Sequence, residues 1–217
     1  MISNFINLPL FIPIVLWGLG AVATATVTYF GGRALFKKKA RTKLGVLGMQ
    51  AAGKTRFLSY LRNIPFVEKE TSKEEYKPFT YKYEKKIIRI DTGFDIGGGN
   101  IFKDEYISII RKSDIIFYFF DISKYLNNKA VAENINYNRE CNSRFELIYS
   151  ETTKIKTPVI FIGTHTDLCP KDINTTRKEF LNLIKDKSYY SSLKNLVTIN
   201  LTNKNEITNF IDKIFTI

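Results

Sequence analysis

The stretch "VLGMQAAGKTRFL", residues 46–58, decides the fold. Inside it "GMQAAGKT", residues 48–55, satisfies G-x-x-x-x-G-K-[ST] in full. The apolar run "KLGVLG" precedes the loop and "KTRFLSYLRNI" follows it. A strand therefore feeds the loop, and a helix that Pro65 helps to end leaves it. Gly48 and Gly53 permit backbone angles that a side chain would obstruct. The amides of Met49, Gln50, Ala51 and Ala52 can then turn inward around phosphate oxygens. The helix start adds partial positive charge. Lys54 is placed to bridge β and γ phosphates, and Thr55 to set its hydroxyl on Mg²⁺.

Upstream of the loop the composition changes. The chain carries 33 basic and 21 acidic residues, a formal charge of +12, yet residues 1–32 hold no charged side chain. Arg33, Lys37, Lys38, Lys39, Arg41 and Lys43 then arrive with no acidic residue among them and supply about half the excess. "LPLFIPIVLWGLGAVATATVTYF", residues 8–30, is uncharged throughout. As a helix it would reach about 34 Å, enough to cross a hydrocarbon core of about 30 Å. Its proline-containing start and its Trp17 and Tyr29 suit a bilayer, and it lacks the basic leader of a secretory signal. A buried core helix is the alternative, but one this long rarely lacks a polar face. The basic collar places residues 1–7 outside and the rest in the cytoplasm, where the same lysines attract anionic lipid headgroups. The expectation is a single-pass membrane protein. It has a short tail (1–7), a transmembrane helix (8–30), a basic juxtamembrane linker (31–42) and a nucleotide-binding domain (43–217). Cys141 and Cys169 share no metal-type or redox-type spacing.

Downstream, short apolar runs alternate with amphipathic ones. "FTYKYEKKIIRI" (79–90) suggests one or two paired strands. "DIIFYFFDI" (114–122) and "TPVIFIGTH" (157–165) are continuous apolar runs suited to central strands buried on both faces. "LVTINL" (196–201) predicts a last strand and "ITNFIDKIF" (207–215) a last helix, while residues 127–142 suggest helix and loop. Such alternation predicts an α/β P-loop NTPase fold in three layers around a mostly parallel sheet, preceded by the one transmembrane helix.

Two further stretches concern the base and the metal. "VIFIGTHTDL" ends a buried strand in Thr164-His165-Thr166-Asp167. It resembles the [NT]-K-x-D element of small GTPases, with His165 in place of lysine. A carboxylate at Asp167 would accept hydrogen bonds from guanine N1–H and the exocyclic amine, whereas adenine presents a lone pair there. The usual lysine lies flat along the base; an imidazole could stack in its place. The alternative for Asp167 is a helix start at "DLCPKD". "IIRIDTGFDIGGG" (87–99) resembles the D-x-x-G element that holds Mg²⁺ through water and senses the γ-phosphate. Asp91 is preferred for that role because "IIRID" ends like a buried strand. Phe94 then occupies the fourth position, with Gly93 before it. Asp95, which opens "DIGG", is the other register. The residue after the motif is Asp95 or Gly99, not the usual water-positioning glutamine.

Thr71, in "EKETSKEEYK" (68–77), is the best placed switch threonine for Mg²⁺ and the γ-phosphate. The last family element falls on Asn200-Leu201-Thr202, where the Leu201 amide could serve the base. Together these motifs resemble the Ras-like GTPase superfamily over residues 43–217. The single-span layout is similar to that of signal recognition particle receptor beta subunits. The resemblance implies GTP/GDP and Mg²⁺ as ligands. Lys54, Thr71 and Asp95 would take part in hydrolysis, and Thr55, Thr71 and Asp91 would surround the metal. It further implies a slow switch that recruits an unidentified protein effector or activator at the membrane. A GTP-locked scaffold and a P-loop ATPase are the other readings. Nucleic acid is not favoured, because the charge excess lies beside the span and no base-recognition motif occurs.

Overall fold

A computed structural model describes residues 42–67, 73–83, 86–96, 103–127 and 132–215. The expected transmembrane segment 8–30, the collar from Arg33 to Arg41, Thr71, and Gly97 to Gly99 lie outside these residues. Among the described residues no helix is long and apolar enough to cross a membrane.

The first strand, β1 (Thr42–Gly48), is almost wholly buried and leads through the phosphate loop into α1 (Lys54–Arg62). Asn63 ends α1 in a left-handed conformation (φ 53), its amide donating to Ser59 and Tyr60 carbonyls, with Pro65 just beyond. Next come β2 (Lys73–Tyr76), β3 (Phe79–Tyr83) and β4 (Lys86–Ile96). They are followed by α2 (Lys103–Lys112), β5 (Ile115–Asp121), α3 (Ile122–Leu126) and the long α4 (Ala132–Ile155). Then β6 (Val159–Thr164) runs into a 3-10 turn (Thr166–Leu168), α5 (Ile173–Leu183), α6 (Tyr190–Leu193), β7 (Val197–Thr198) and α7 (Lys204–Phe215).

The strands form one sheet in the order β2-β4-β1-β5-β6-β7, with β3 also on β4. The pairs β1–β4, β1–β5, β5–β6 and β6–β7 are parallel; β2 and β3 run antiparallel to β4 at the edge. The sheet is thus mostly parallel, as expected. Alternate side chains of β5 show the layering. Phe117 and Phe119 meet Phe57 of α1 at 5.8 and 5.3 Å between ring centroids, and Phe117 lies 6.0 Å from Phe210 of α7. Tyr118 and Phe120 point the other way, to Phe145 of α4 at 5.6 and 5.1 Å; Phe120 also meets Phe180 of α5 at 5.1 Å. Period-2 alternation in an all-apolar strand requires cover on both faces, which these helices supply.

From β1 the next parallel strand, β4, lies on one side and β5, β6 and β7 on the other. The strand order reverses at β1, and in open α/β sheets ligands bind outside the carboxyl ends of strands at such a reversal. The phosphate loop leaves β1 at that point.

Two expectations need correction. The strand beginning at "KIIRI" does not stop near Asp91; β4 continues to Ile96. It can do so because it has partners along its whole length: β3 covers Lys86 to Ile90, and β2 covers Gly93 to Ile96. Also, the last strand is shorter than "LVTINL", because Asn200 turns the chain, its side chain accepting from the Thr202 amide at 2.8 Å.

Candidate functional site

Gly48 is the last residue of β1, with φ +150. A Cβ there would fall 2.1 Å from the Phe119 carbonyl oxygen, so no other residue fits beside β5. One residue on, the Met49 amide donates to that same carbonyl at 2.9 Å, which pins the loop's first residue to the sheet. Left-handed conformations at Ala51 (φ 55) and Gly53 (φ 83) then bend the chain back, and the Ala52 amide closes a turn on the Met49 carbonyl at 3.4 Å. Such a bend turns successive amides to one side. Lys54 opens α1 and is buried at 5 % exposure. Its ammonium donates to the Met49 and Gly48 carbonyls at 2.7 and 3.4 Å, so the charge is held inside the loop's curve. Thr55, beside it in the first turn of α1, is half-buried.

The loop after β6 is tied to the phosphate loop. Thr164 is fully buried, and its hydroxyl reaches the Ala52 carbonyl at 3.2 Å and the Phe120 carbonyl at 3.1 Å. His165 follows in a left-handed conformation (φ 59), and its carbonyl accepts from the Leu168 amide at 3.1 Å to close the 3-10 turn. Asp167 sits exposed on this turn. It is not the start of a helix. Asp172 caps α5, accepting from the Asn174 and Thr175 amides at 3.0 and 3.1 Å. These bonds hold the Asp172 carboxyl below its ordinary range, with the Thr175 hydroxyl the strongest contributor. Among the described residues no hydrogen bond or ion pair engages the Asp167 carboxylate.

The third loop, after β7, packs on the same place. A Cβ on Gly53 would meet Leu201 Cδ1 at 2.4 Å, so the Leu201 side chain lies directly on the glycine. The expectation for Leu201 concerned its backbone amide; what the structure shows is its side chain packed on the phosphate loop.

Strand register separates the two candidate aspartates. Asp91 is level with Lys43 and Asp95 with Val46. At about 3.3 Å per residue, Asp91 lies roughly 17 Å short of Gly48 along β1 and Asp95 about 7 Å short. By register, Asp95 is the nearer of the two to the phosphate loop, and Asp91, the residue preferred from the sequence, is the farther. Gly93 has a local explanation as well: the β1–β4 register slips between Lys43 and Gly45, where β4 advances from Asp91 to Phe94. Glycine in a strand commonly marks such a bulge.

The chain matches no known family model and no curated protein. What the loops can do therefore rests on their own geometry. A cradle that excludes every Cβ at Gly48, a buried ammonium within it and a hydroxyl beside it fit a polyphosphate with a hard cation. Among the described residues no group of three or more His, Cys, Asp or Glu could hold a metal. A phosphate-bound Mg²⁺ does not need one, since water and phosphate supply most of its ligands.

Two residues beneath the loop carry no motif and escaped the sequence reading. The Tyr106 hydroxyl, on α2, donates to the Gly48 carbonyl at 3.3 Å, and burial pushes its pKa up to about 12. Arg144, on α4, donates to the Met49 sulfur at 3.1 Å. They link α2 and α4 to the first residues of the loop.

Proposed function

We propose that this chain is a Mg²⁺-dependent guanine-nucleotide-binding protein, held at the cytoplasmic face of a membrane by residues 8–30. The observation that carries the reading is the bond from Thr164 to the Ala52 carbonyl. It ties the turn that carries Asp167, whose carboxylate has no partner among the described residues, to the loop that would cradle the phosphates. Phosphates at the loop and a base at Asp167 are the two ends of one nucleotide.

In this reading the amides of residues 49–53 and Lys54 hold the β and γ phosphates, and Thr55 with Asp95 holds Mg²⁺, Asp95 through water. Mg²⁺ held there would supply positive charge against the charge that develops on the phosphates. Attack of water on the γ-phosphorus would be assisted by Lys54 and the loop amides, which stabilise the equatorial oxygens. With Asp95 opening "DIGG", the next residue is Gly99, which has no side chain to orient the water. That favours a slow cycle, completed by a partner, or a GTP-locked scaffold. Single-turnover hydrolysis with and without membrane extract separates these two. Thr71 and the glycines at 97–99 are proposed as the segments whose contacts with the γ-phosphate change on hydrolysis.

Titration with fluorescent GTP and ATP analogues tests the class; equal affinities would sink it. The anchor is tested separately by alkaline carbonate, which should leave the full chain in the membrane pellet.

A further inference from the structure

His165 is the only histidine in the chain. It stands next to Thr164, on the strand beside the one that ends in Asp121, and the register pairs Asp121 with Thr164. The imidazole Nδ1 lies 2.9 Å from the Thr164 hydroxyl oxygen and 3.5 Å from Asp121 Oδ2. The Thr164 hydroxyl has one hydrogen, and two buried carbonyls, of Ala52 and Phe120, lie in its reach. Toward the ring it therefore offers a lone pair. Asp121 is 2 % exposed, and its Oδ1 is occupied by the Ser123 hydroxyl at 2.6 Å and the Lys124 amide at 3.0 Å. Its Oδ2 faces the imidazole, and a buried carboxylate oxygen calls for a donor. Both neighbours accept, so Nδ1 carries the hydrogen. The ring side chain nevertheless keeps 33 % of its surface exposed, on the same turn as Asp167.

We infer that Asp121 is a positioning residue for purine recognition: with Thr164 it fixes the His165 imidazole as the Nδ1–H tautomer, so that the ring offers a bound base a rigid face. The inference rests on the nucleotide reading above. A planar ring has two torsions to fix before it can serve as a platform, and the two acceptors on Nδ1 fix both. Base-on-ring stacking tolerates a range of bases. Discrimination is left to Asp167, and affinity to His165.

The single histidine makes this directly readable. With histidine-selective nitrogen-15 labelling of the full chain in detergent, one imidazole reports, at a pH where the ring is neutral. The expected spectrum shows Nδ1 protonated and Nε2 bare, and saturating GDP shifts the ring signals. Asp121→Asn keeps the cap on α3, because asparagine caps well. With its oxygen still committed to Ser123 and Lys124, its amide NH₂ faces Nδ1, so the tautomer should switch to Nε2–H. GDP affinity should fall about tenfold, the scale of a lost stacking contact. In a His165→Ala background the same change should alter affinity by less than about twofold, since coupled residues do not add.

An Nε2–H tautomer in the native chain, ring signals unmoved by saturating GDP, or a full Asp121→Asn effect without His165 would each overturn the positioning role while leaving nucleotide binding intact. If the native chain binds neither GDP nor GTP, the functional reading falls and this inference with it. The first two measurements use the native chain, so they stand even where a variant fails to fold.

Discussion

Replacing Thr164 by valine tests the seam between the phosphate loop and the base-side loop. Valine keeps the branched shape that suits a strand but removes the hydroxyl. At a fully buried position, the Ala52 and Phe120 carbonyls lose a donor that water cannot replace. A buried polar group left unsatisfied costs about 1–3 kcal/mol, so the change should destabilise the fold by about 2 kcal/mol. For a domain of this size that is a drop in Tm of roughly 4–8 °C. The same loss frees the turn carrying Asp167 from the loop carrying Lys54. GTP affinity should then weaken by about tenfold, equivalent to 1.4 kcal/mol. Thr164→Ser, which retains the hydroxyl, should recover most of both effects. Thermal melts followed by circular dichroism give the first number, and titration with a fluorescent GTP analogue the second. A valine variant that melts and binds like the native chain would refute the seam as the device joining the two ends of the site.

Other outcomes follow from the same geometry. Asp95→Asn should raise the Mg²⁺ concentration needed for tight GTP binding by about 10–100-fold, the usual scale for a metal-orienting partner, whereas Asp91→Asn should leave it unchanged; the reverse would select Asp91. Lys54→Ala should abolish GTP binding, since the ammonium lies within the loop; retained micromolar affinity in the same titration would count against the site. Phe145→Ala should cost about 3–5 kcal/mol in urea unfolding, because its ring meets Tyr118, Phe120, Phe161, Phe180 and Tyr189 at once. Burial raises Tyr106 to about 12 and Tyr118 well above its ordinary value, so the folded chain retains protons that an unfolded one releases from about pH 10. That contribution to stability is complete below pH 10 and is lost as pH rises toward 12. Urea midpoints at pH 9 and pH 11.5, with tyrosinate absorbance, read it; ionisation of all twelve tyrosines by pH 11.5 without unfolding would contradict it.

Much of the fold was legible because its signals are local. The strand, loop and helix around residues 48–55 announce themselves through glycine spacing and a change of period. The runs that became β5 and β6 are too apolar to lie anywhere but the sheet's centre. Less legible was β2. "KEEY" has one apolar residue, as suits an edge strand, whose charges discourage pairing with other chains. What identifies it is Tyr76, buried beneath the sheet with its hydroxyl donating to the Leu44 carbonyl. Helix α2 carried ordinary signals, Asp104 and Glu105 in its first turn and Arg111 and Lys112 in its last, yet no motif drew attention to it.

The sequence by itself determined that a glycine-bent loop joins a strand to a helix and carries a lysine at the helix start, because backbone freedom at Gly48 and Gly53 and the charge of Lys54 are properties of those residues wherever they sit. Tertiary structure alone decided which partners meet. Asp91 and Asp95 read almost equally well along the chain, but a bulge and two antiparallel partners carry β4 onward and leave only Asp95 near the loop. Asp167 could have capped a helix until Asp172 was found in that role. Asp121 and His165, 44 residues apart in number, meet because parallel strands align their carboxyl ends, as in the Thr164 to Phe120 pair of the same span. Register is set by the neighbouring strand, and no local pattern encodes it.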